Sequence, residues 1–241
     1  MSSQQPVNVN APDWLGAPQS EEEKRFLRGS RERPEELASA GWYFLEFVRG
    51  FQALSSLGRC VTVFGSARFP DGHEYYELAR RLGRRLAQEG IAVMTGGGPG
   101  IMEAANRGAK EGGGTSIGCN IRLPVEQKPN RYLDRFVEFE HFFIRKVMLV
   151  KYSHAFVVLP GGFGTMDEVF ETLTLMQTKK IESFPVVAMG TPFWRHLTEF
   201  IRDALIAEGT ISPPDLDLLQ LTDSIDEAIE KIRTGFATGT G

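Results

Sequence analysis

Two cysteines, Cys60 and Cys119, are all that 241 residues contain. Both sit in apolar, strand-like runs without the close spacing of a zinc site. They read as buried reduced thiols and not as metal ligands. The four histidines, His73, His141, His154 and His196, are scattered, with no pattern of a metal centre or a catalytic triad, and read as structural or surface residues. No apolar run reaches the ~18 residues of a membrane span. The N-terminal stretch MSSQQPVNVNAPDW lacks the basic-then-apolar order of a secretory signal. A formal charge of −4 supplies no global basic field to attract nucleic acid. Two nucleotide motifs are missing as well. The turn after the first strand reads GSARFPDG, not G-x-G-x-x-G, and no G-x-x-x-x-G-K-[ST] occurs. NAD-dependent and ATP-hydrolysing roles therefore lack direct support, which leaves a mononucleotide held by loops of another design. The expectation is a cytoplasmic protein with no membrane, nucleic-acid, metal or cofactor partner.

Apolar residues at 41% and charged residues at 24% fit a globular domain with an ordinary core. Residues 1 to about 33 are polar, charge-rich and proline-bearing, and predict a mobile extension. Pro34 suits a first helical turn. Leu37, Trp42, Phe44, Leu45, Val48, Phe51 and Leu54 then recur at helical spacing. A helix over 34–57 is expected to pack on the core or on a partner subunit. From residue 58 to 241 short apolar runs alternate with amphipathic segments. Strands are expected at 60–65, 91–94, 115–121, 136–139, 154–159, 185–189 and 216–221. Helices are expected at 75–89, 101–111, 141–152, 166–179, 193–208 and 224–233. This alternation predicts an α/β fold, a Rossmann-like doubly wound parallel sheet with helices on both faces.

In such sheets ligands lie beyond the carboxyl ends of the strands, near the switch in strand order. Three turns expected there are rich in small residues: Gly65-Ser66-Ala67, Thr95 to Gly100, and Pro160 to Thr165. Glycines let the backbone approach a ligand, and the first N–H groups of a helix have no internal partner. Gly96, Gly97 and Gly98, with Gly161, Gly162, Phe163, Gly164 and Thr165, are thus expected to cradle a phosphate. Glu168 lies one turn into the helix that follows. It reads either as a carboxylate favoured by the helix dipole, with Asp167 and Glu171 as competing caps, or as an acid placed to act on the bound molecule. Arg145 and Lys146 stand side by side in a mostly apolar helix. One reading leaves one solvated and the other paired; the sharper one puts Arg145 at the pocket mouth, where a planar guanidinium suits phosphate or sugar oxygens.

The string PGGFGTMDE resembles the P-G-G-x-G-T-x-x-E signature of the LOG ("lonely guy") family of cytokinin riboside 5′-monophosphate phosphoribohydrolases, long labelled "possible lysine decarboxylase". The resemblance runs over about 59–233 and takes in GSAR, TGGGPGIMEAAN and the Arg145-Lys146 pair. It implies an enzyme that hydrolyses the N-glycosyl bond of a nucleoside 5′-monophosphate, releasing free base and ribose 5-phosphate, with Arg145 and Glu168 as catalytic residues. It also implies nucleotide contacts from Lys146, the loop Gly162–Glu168 with Met166 and Asp167, and Thr174; Glu126 resembles a further contacting acid. The substrate is expected to be AMP or an N6-modified AMP, and the assembly at least a homodimer. No pattern marks a pyridoxal-phosphate lysine. Residues 1–57 and the segment 118–136 differ from the short plant-like members. The alternative is a non-catalytic carrier of a nucleotide or of molybdenum cofactor.

Overall fold

The computed structural model describes residues 22–29, 32–123 and 128–238. The expected mobile extension falls for the most part outside these residues, and so does Glu126. Two helices come first, α1 (Glu22–Phe26) and α2 (Arg33–Leu54). Strands and helices then alternate: β1 (Cys60–Phe64), α3 (Glu74–Gln88), β2 (Ala92–Thr95), α4 (Ile101–Glu111), β3 (Ser116–Ile121), β4 (Arg135–Phe139), α5 (Phe142–Lys151), β5 (Ala155–Val158), α6 (Phe163–Gln177), β6 (Val186–Ala188), α7 (Thr191–Phe200), β7 (Leu219–Leu221) and α8 (Ile225–Thr238).

The sheet has seven strands in the order β4-β3-β2-β1-β5-β6-β7, and every pairing is parallel. Parallel strands demand crossovers, and intervening helices supply them on both faces, except between β3 and β4, where no helix lies among the described residues. Side chains of a strand alternate between faces. Val61 and Val63 of β1 pack with α3, α4 and α8 through Leu82, Leu86, Ile101, Ala105 and Ile232. Cys60 and Phe64 turn the other way and meet α2, α5, α6 and α7 through Leu54, Ile144, Met148, Val169 and Trp194. The chain winds outward from β1 to β4, then returns to lay β5 against β1. The switch in strand order therefore falls between β1 and β5.

Three segments depart from the sequence reading. Helix α6 starts at Phe163, not Met166, so part of the glycine-rich signature is itself the first helical turn. The helix expected over 193–208 starts at Thr191 and passes into a π-helical turn, Ile201–Ile206. The strand expected at 216–221 shrinks to β7, because Pro213 and Pro214 open a 3-10 turn, Pro213–Leu218. Proline fixes φ near the helical value and removes a donor that a strand ladder needs.

Candidate functional site at the strand switch

The loops after β1 and β5 are tied to each other at the switch point. Phe64 pairs in register with Val158, Leu159 N donates to Phe64 O (2.9 Å), and Ser66 N donates to Pro160 O (3.0 Å). Ser66 O in turn accepts from Ile101 N, the first residue of α4 (3.0 Å). Gly65-Ser66, Gly96–Gly100 and Pro160–Thr165 thus form one rim. Gly100 precedes α4 with φ +68°, and a Cβ there would meet the backbone of Ala67 at 2.6 Å. Glycine alone permits that backbone and that approach.

The loop after β2 is held from beneath by buried amides that sequence reasoning had not singled out. Thr95 Oγ1 accepts from Gly97 N (2.9 Å) and donates to Asn106 Oδ1 (2.6 Å). Asn106 Nδ2 donates to Ser116 Oγ (2.8 Å). Asn130 Nδ2 reaches Gly98 O (3.1 Å) and Asn106 Oδ1 (3.0 Å), while Asn130 N donates to Gly97 O (2.9 Å). A signal existed: Asn106 falls on the apolar face of a helix between Ile101, Ala105 and Ala109. Buried polar groups placed this way must be satisfied, and here they fix the loop conformation.

Arg145 ties β3 to α6 and lies against the turn after β2. Its Nε donates to Cys119 O of β3 (3.0 Å), and its Nη1 meets Glu168 Oε1 of α6 at 2.9 Å. Its Nη2 lies 2.9 Å from the place a Cβ on Gly96 would occupy. The side chains of Arg145 and Glu168 are only 10% and 11% exposed, so Arg145 sits deeper than a pocket mouth. Burial pushes the Glu168 carboxyl above the usual carboxylate range, and the Arg145 guanidinium pulls against that rise. Lys146, the neighbouring cation, is also paired: Nζ reaches Asp167 at 3.1 Å and Glu171 at 3.2 Å. Burial pulls its ammonium down, but the two carboxylates outweigh this and hold it above the ordinary lysine value. The reading of one solvated and one paired cation is thereby corrected. Adjacent helix positions point about 100° apart, and α6 offers a carboxylate to each.

Around this pair the expected residues are placed unevenly. Gly162 and Gly164 face open space, Phe163 is 96% exposed, and Thr165 is buried under Gly161. Met166 is half-buried and its N–H closes the first turn on Gly162 O (3.0 Å). Thr174 stands apart: it is exposed, and its hydroxyl donates to Phe170 O (2.7 Å) within the helix. Its position six residues past Glu168 turns it away from the Arg145 side of α6. Both cysteines are buried, and burial first of all pushes each thiol up to about 12, which leaves them inert. Among the described residues no group of histidine, cysteine or acidic side chains is arranged to hold a metal, and no helix is long and apolar enough to cross a membrane.

These features define a Rossmann-like α/β protein whose candidate site lies at the strand switch, between glycine-rich loops and a buried Arg–Glu pair. The family described as "Possible lysine decarboxylase" matches residues 102–232, more than half of the chain. The chain is 28% identical over 179 residues to the cytokinin riboside 5′-monophosphate phosphoribohydrolase of Rhodococcoides fascians, a match covering 73% of this chain and 90% of that protein. The enzyme of the same name from Mycobacterium tuberculosis is 28% identical over 173 residues, covering 70% and 90%. Among solved structures, a molybdenum cofactor binding protein from Rippkaea orientalis shares the fold, with TM-score 0.54 and 24% identity over 73% of this chain and 96% of that one. The chain belongs to the LOG family.

Proposed function

We propose that this protein is a nucleoside 5′-monophosphate N-glycosidase, acting on AMP or an N6-modified AMP. Water replaces the base at C1′, and free base and ribose 5-phosphate leave. The observation that carries this reading is the Arg145–Glu168 contact at 2.9 Å, buried at the strand switch between the packed Gly96–Gly98 turn and the open glycines Gly162 and Gly164. Cleavage of the glycosyl bond builds positive charge on the ribose ring. A carboxylate held in a water-poor site stabilises that charge and orients or deprotonates the attacking water. Glu168 takes this role in the proposal. Arg145 holds the carboxylate in place and offers its remaining N–H groups to substrate oxygens or to the departing base. The backbone amides of Gly96, Gly98 and Gly161–Thr165, with the Gly65-Ser66 turn beside them and Gly97 held by Thr95, hold the 5′-phosphate. That remote contact supplies binding energy used at C1′. Lys146, Met166 and Asp167 are assigned to the nucleotide-contacting surface beside the pair; the family resemblance adds Glu126, and it adds Thr174 only at a point apart from the Arg145 side of α6.

The relatives in Rhodococcoides fascians and Mycobacterium tuberculosis bear the name of this activity, which supports the assignment. The proposed working unit is a cytoplasmic homodimer. Phe142, Phe143 and Val147 of α5 and Phe163 and Phe170 of α6 leave large apolar surface exposed close to the site, the kind of patch a second subunit covers. In this division of the chain, residues 58–241 are the catalytic domain and 34–57 a covering helix. The carrier reading is favoured only by the shared fold of the molybdenum cofactor binding protein, and fold alone does not separate binding from turnover. Incubation with a panel of nucleoside monophosphates, followed by chromatography for free base, tests the proposal. Base release from at least one of them is expected. Tight nucleotide binding with no base released from any would favour the carrier.

A further inference from the structure

Glu46 belongs to α2, in the N-terminal segment that the family signature does not include, yet its carboxylate is only 7% exposed. It reaches across to the joint between β4 and α5. Oε1 accepts from Glu140 N (2.6 Å) and His141 N (3.2 Å), and Oε2 meets His141 Nδ1 at 2.6 Å. An ionised carboxylate only accepts, so the ring nitrogen is the donor in that last bond. His141 is 2% exposed, and its Nε2 has no hydrogen-bond partner among the described residues. The imidazole is therefore anchored at the Glu46 end. Its ring lies edge-on to Tyr43 of the same α2 helix, with centroids 4.7 Å apart.

His141 is the N-cap residue of α5, and its carbonyl accepts from Arg145 N (3.2 Å). Glu46 thus fixes, by two hydrogen bonds to His141 and one to the preceding Glu140 N, the residue on which the helical turn carrying Arg145 is built. The cap side chain of His141 makes no bond to its own helix. Orientation of the first turn comes instead from carboxylates on other elements, Glu46 of α2 and Glu23 of α1, whose Oε1 accepts from Phe142 N (2.9 Å), placed where a helix N-terminus favours negative charge.

We propose that Glu46 is a positioning residue for Arg145, so that helix α2 sets the stance of the guanidinium through the Glu46–His141 pair. This rests on the assignment of Arg145 to the reaction. Loss of the carboxylate lets the turn 141–145 settle differently, and a misplacement of about 1 Å at a catalytic group costs up to ~10²-fold in rate. The ground-state contacts of the phosphate loops lie on other elements and are left in place.

The test compares E46A, E46Q and R145A with the unmodified full chain, measuring kcat and KM for base release from AMP or the best panel substrate. All are assayed well below each variant's melting temperature. The amide of E46Q still accepts from the two backbone N–H groups and can donate to the imidazole, so it keeps the geometry. The expected result is a kcat about tenfold or more lower in E46A, with KM changed less than about threefold, and recovery to within about threefold of wild type in E46Q. A folded E46A with lower melting temperature but wild-type kcat would show Glu46 to be purely structural and overturn the proposal. Equal impairment of E46A and E46Q would overturn it too. If E46A does not fold, E46D takes its place: it keeps the charge, shortens the reach by one methylene, and must lose at least about threefold in kcat. Loss of activity in R145A beside normal E46A sinks the positioning idea alone, whereas normal turnover by R145A removes the assignment beneath it.

Discussion

Arg145 Nη1 stands 2.9 Å from Glu168 Oε1, while the same guanidinium donates through Nε to the backbone oxygen of Cys119. One side chain from α5 thereby holds an acid on α6 at a fixed distance from the ends of β2 and β3. A buried carboxylate without such a partner would sit protonated far above the usual range. With the partner it remains raised but is held in one geometry, as an acid acting at a developing cation requires.

The direction of that shift gives a pH dependence for turnover. The role proposed for Glu168 needs it ionised, and burial raises its carboxyl above the ordinary 4.5. The acid limb of kcat/KM against pH, which reports the free enzyme, is predicted to have its midpoint above that value, with activity lost as pH falls through it. A limb at or below the ordinary glutamate value would contradict the role given to Glu168.

Stability should carry the same signature with the opposite sign. A carboxyl whose folded value is raised holds its proton longer in the folded state. Its contribution is complete below the unfolded value and is lost as pH rises through the folded one. The melting temperature of wild type relative to E168Q is therefore predicted to fall as pH increases from about 4.5 toward neutrality. A constant difference across that window would mean that Glu168 titrates normally.

Gly96 gives a steric test of the rim. A Cβ there would stand 2.7 Å from Met102 Sδ and 2.9 Å from Arg145 Nη2. G96A is predicted to displace the guanidinium, lowering kcat up to ~10²-fold while costing stability only about 1–3 kcal/mol. Steady-state kinetics beside a thermal melt separates the two effects.

Asn106 tests the support of the loop after β2. N106A removes acceptors and donors from Thr95, Ser116 and Asn130 in a site closed to solvent. The expected loss is about 1–3 kcal/mol for the polar groups left unsatisfied, read by urea denaturation. Weaker nucleotide binding by the Gly96–Gly98 loop should accompany it.

Assembly is tested on α5. Val147, 43% exposed beside Phe142 and Phe143 at 41% each, lies on the face assigned to the dimer. V147E is predicted to halve the mass seen by light scattering of the full chain. An unchanged dimer would place the subunit contact elsewhere.

Much of the architecture could be read from the chain because its signals are local. Apolar runs such as Cys60–Phe64 and Ala155–Val158 announce buried parallel strands, and PGGFG marks a turn into a helix. Crossover rules imply a doubly wound parallel sheet, but the strand order and the switch between β1 and β5 are seen only in the structure. The pairing of Arg145 with Glu168 came from family resemblance, since nothing in periodicity brings α5 and α6 together. Contacts made by backbone atoms, such as Cys119 O, leave no trace in residue identity. Glu46 and His141 were hidden for another reason: each looks like an ordinary surface residue until α2 is docked on α5. The π-helical turn at 201–206 had no signal in the sequence either.

The most direct measurement is base release from AMP and N6-substituted AMP by E168A, with nucleotide binding followed in parallel. The account predicts that this variant still binds AMP and loses hydrolysis by ~10²-fold or more. Turnover at the wild-type rate would contradict it.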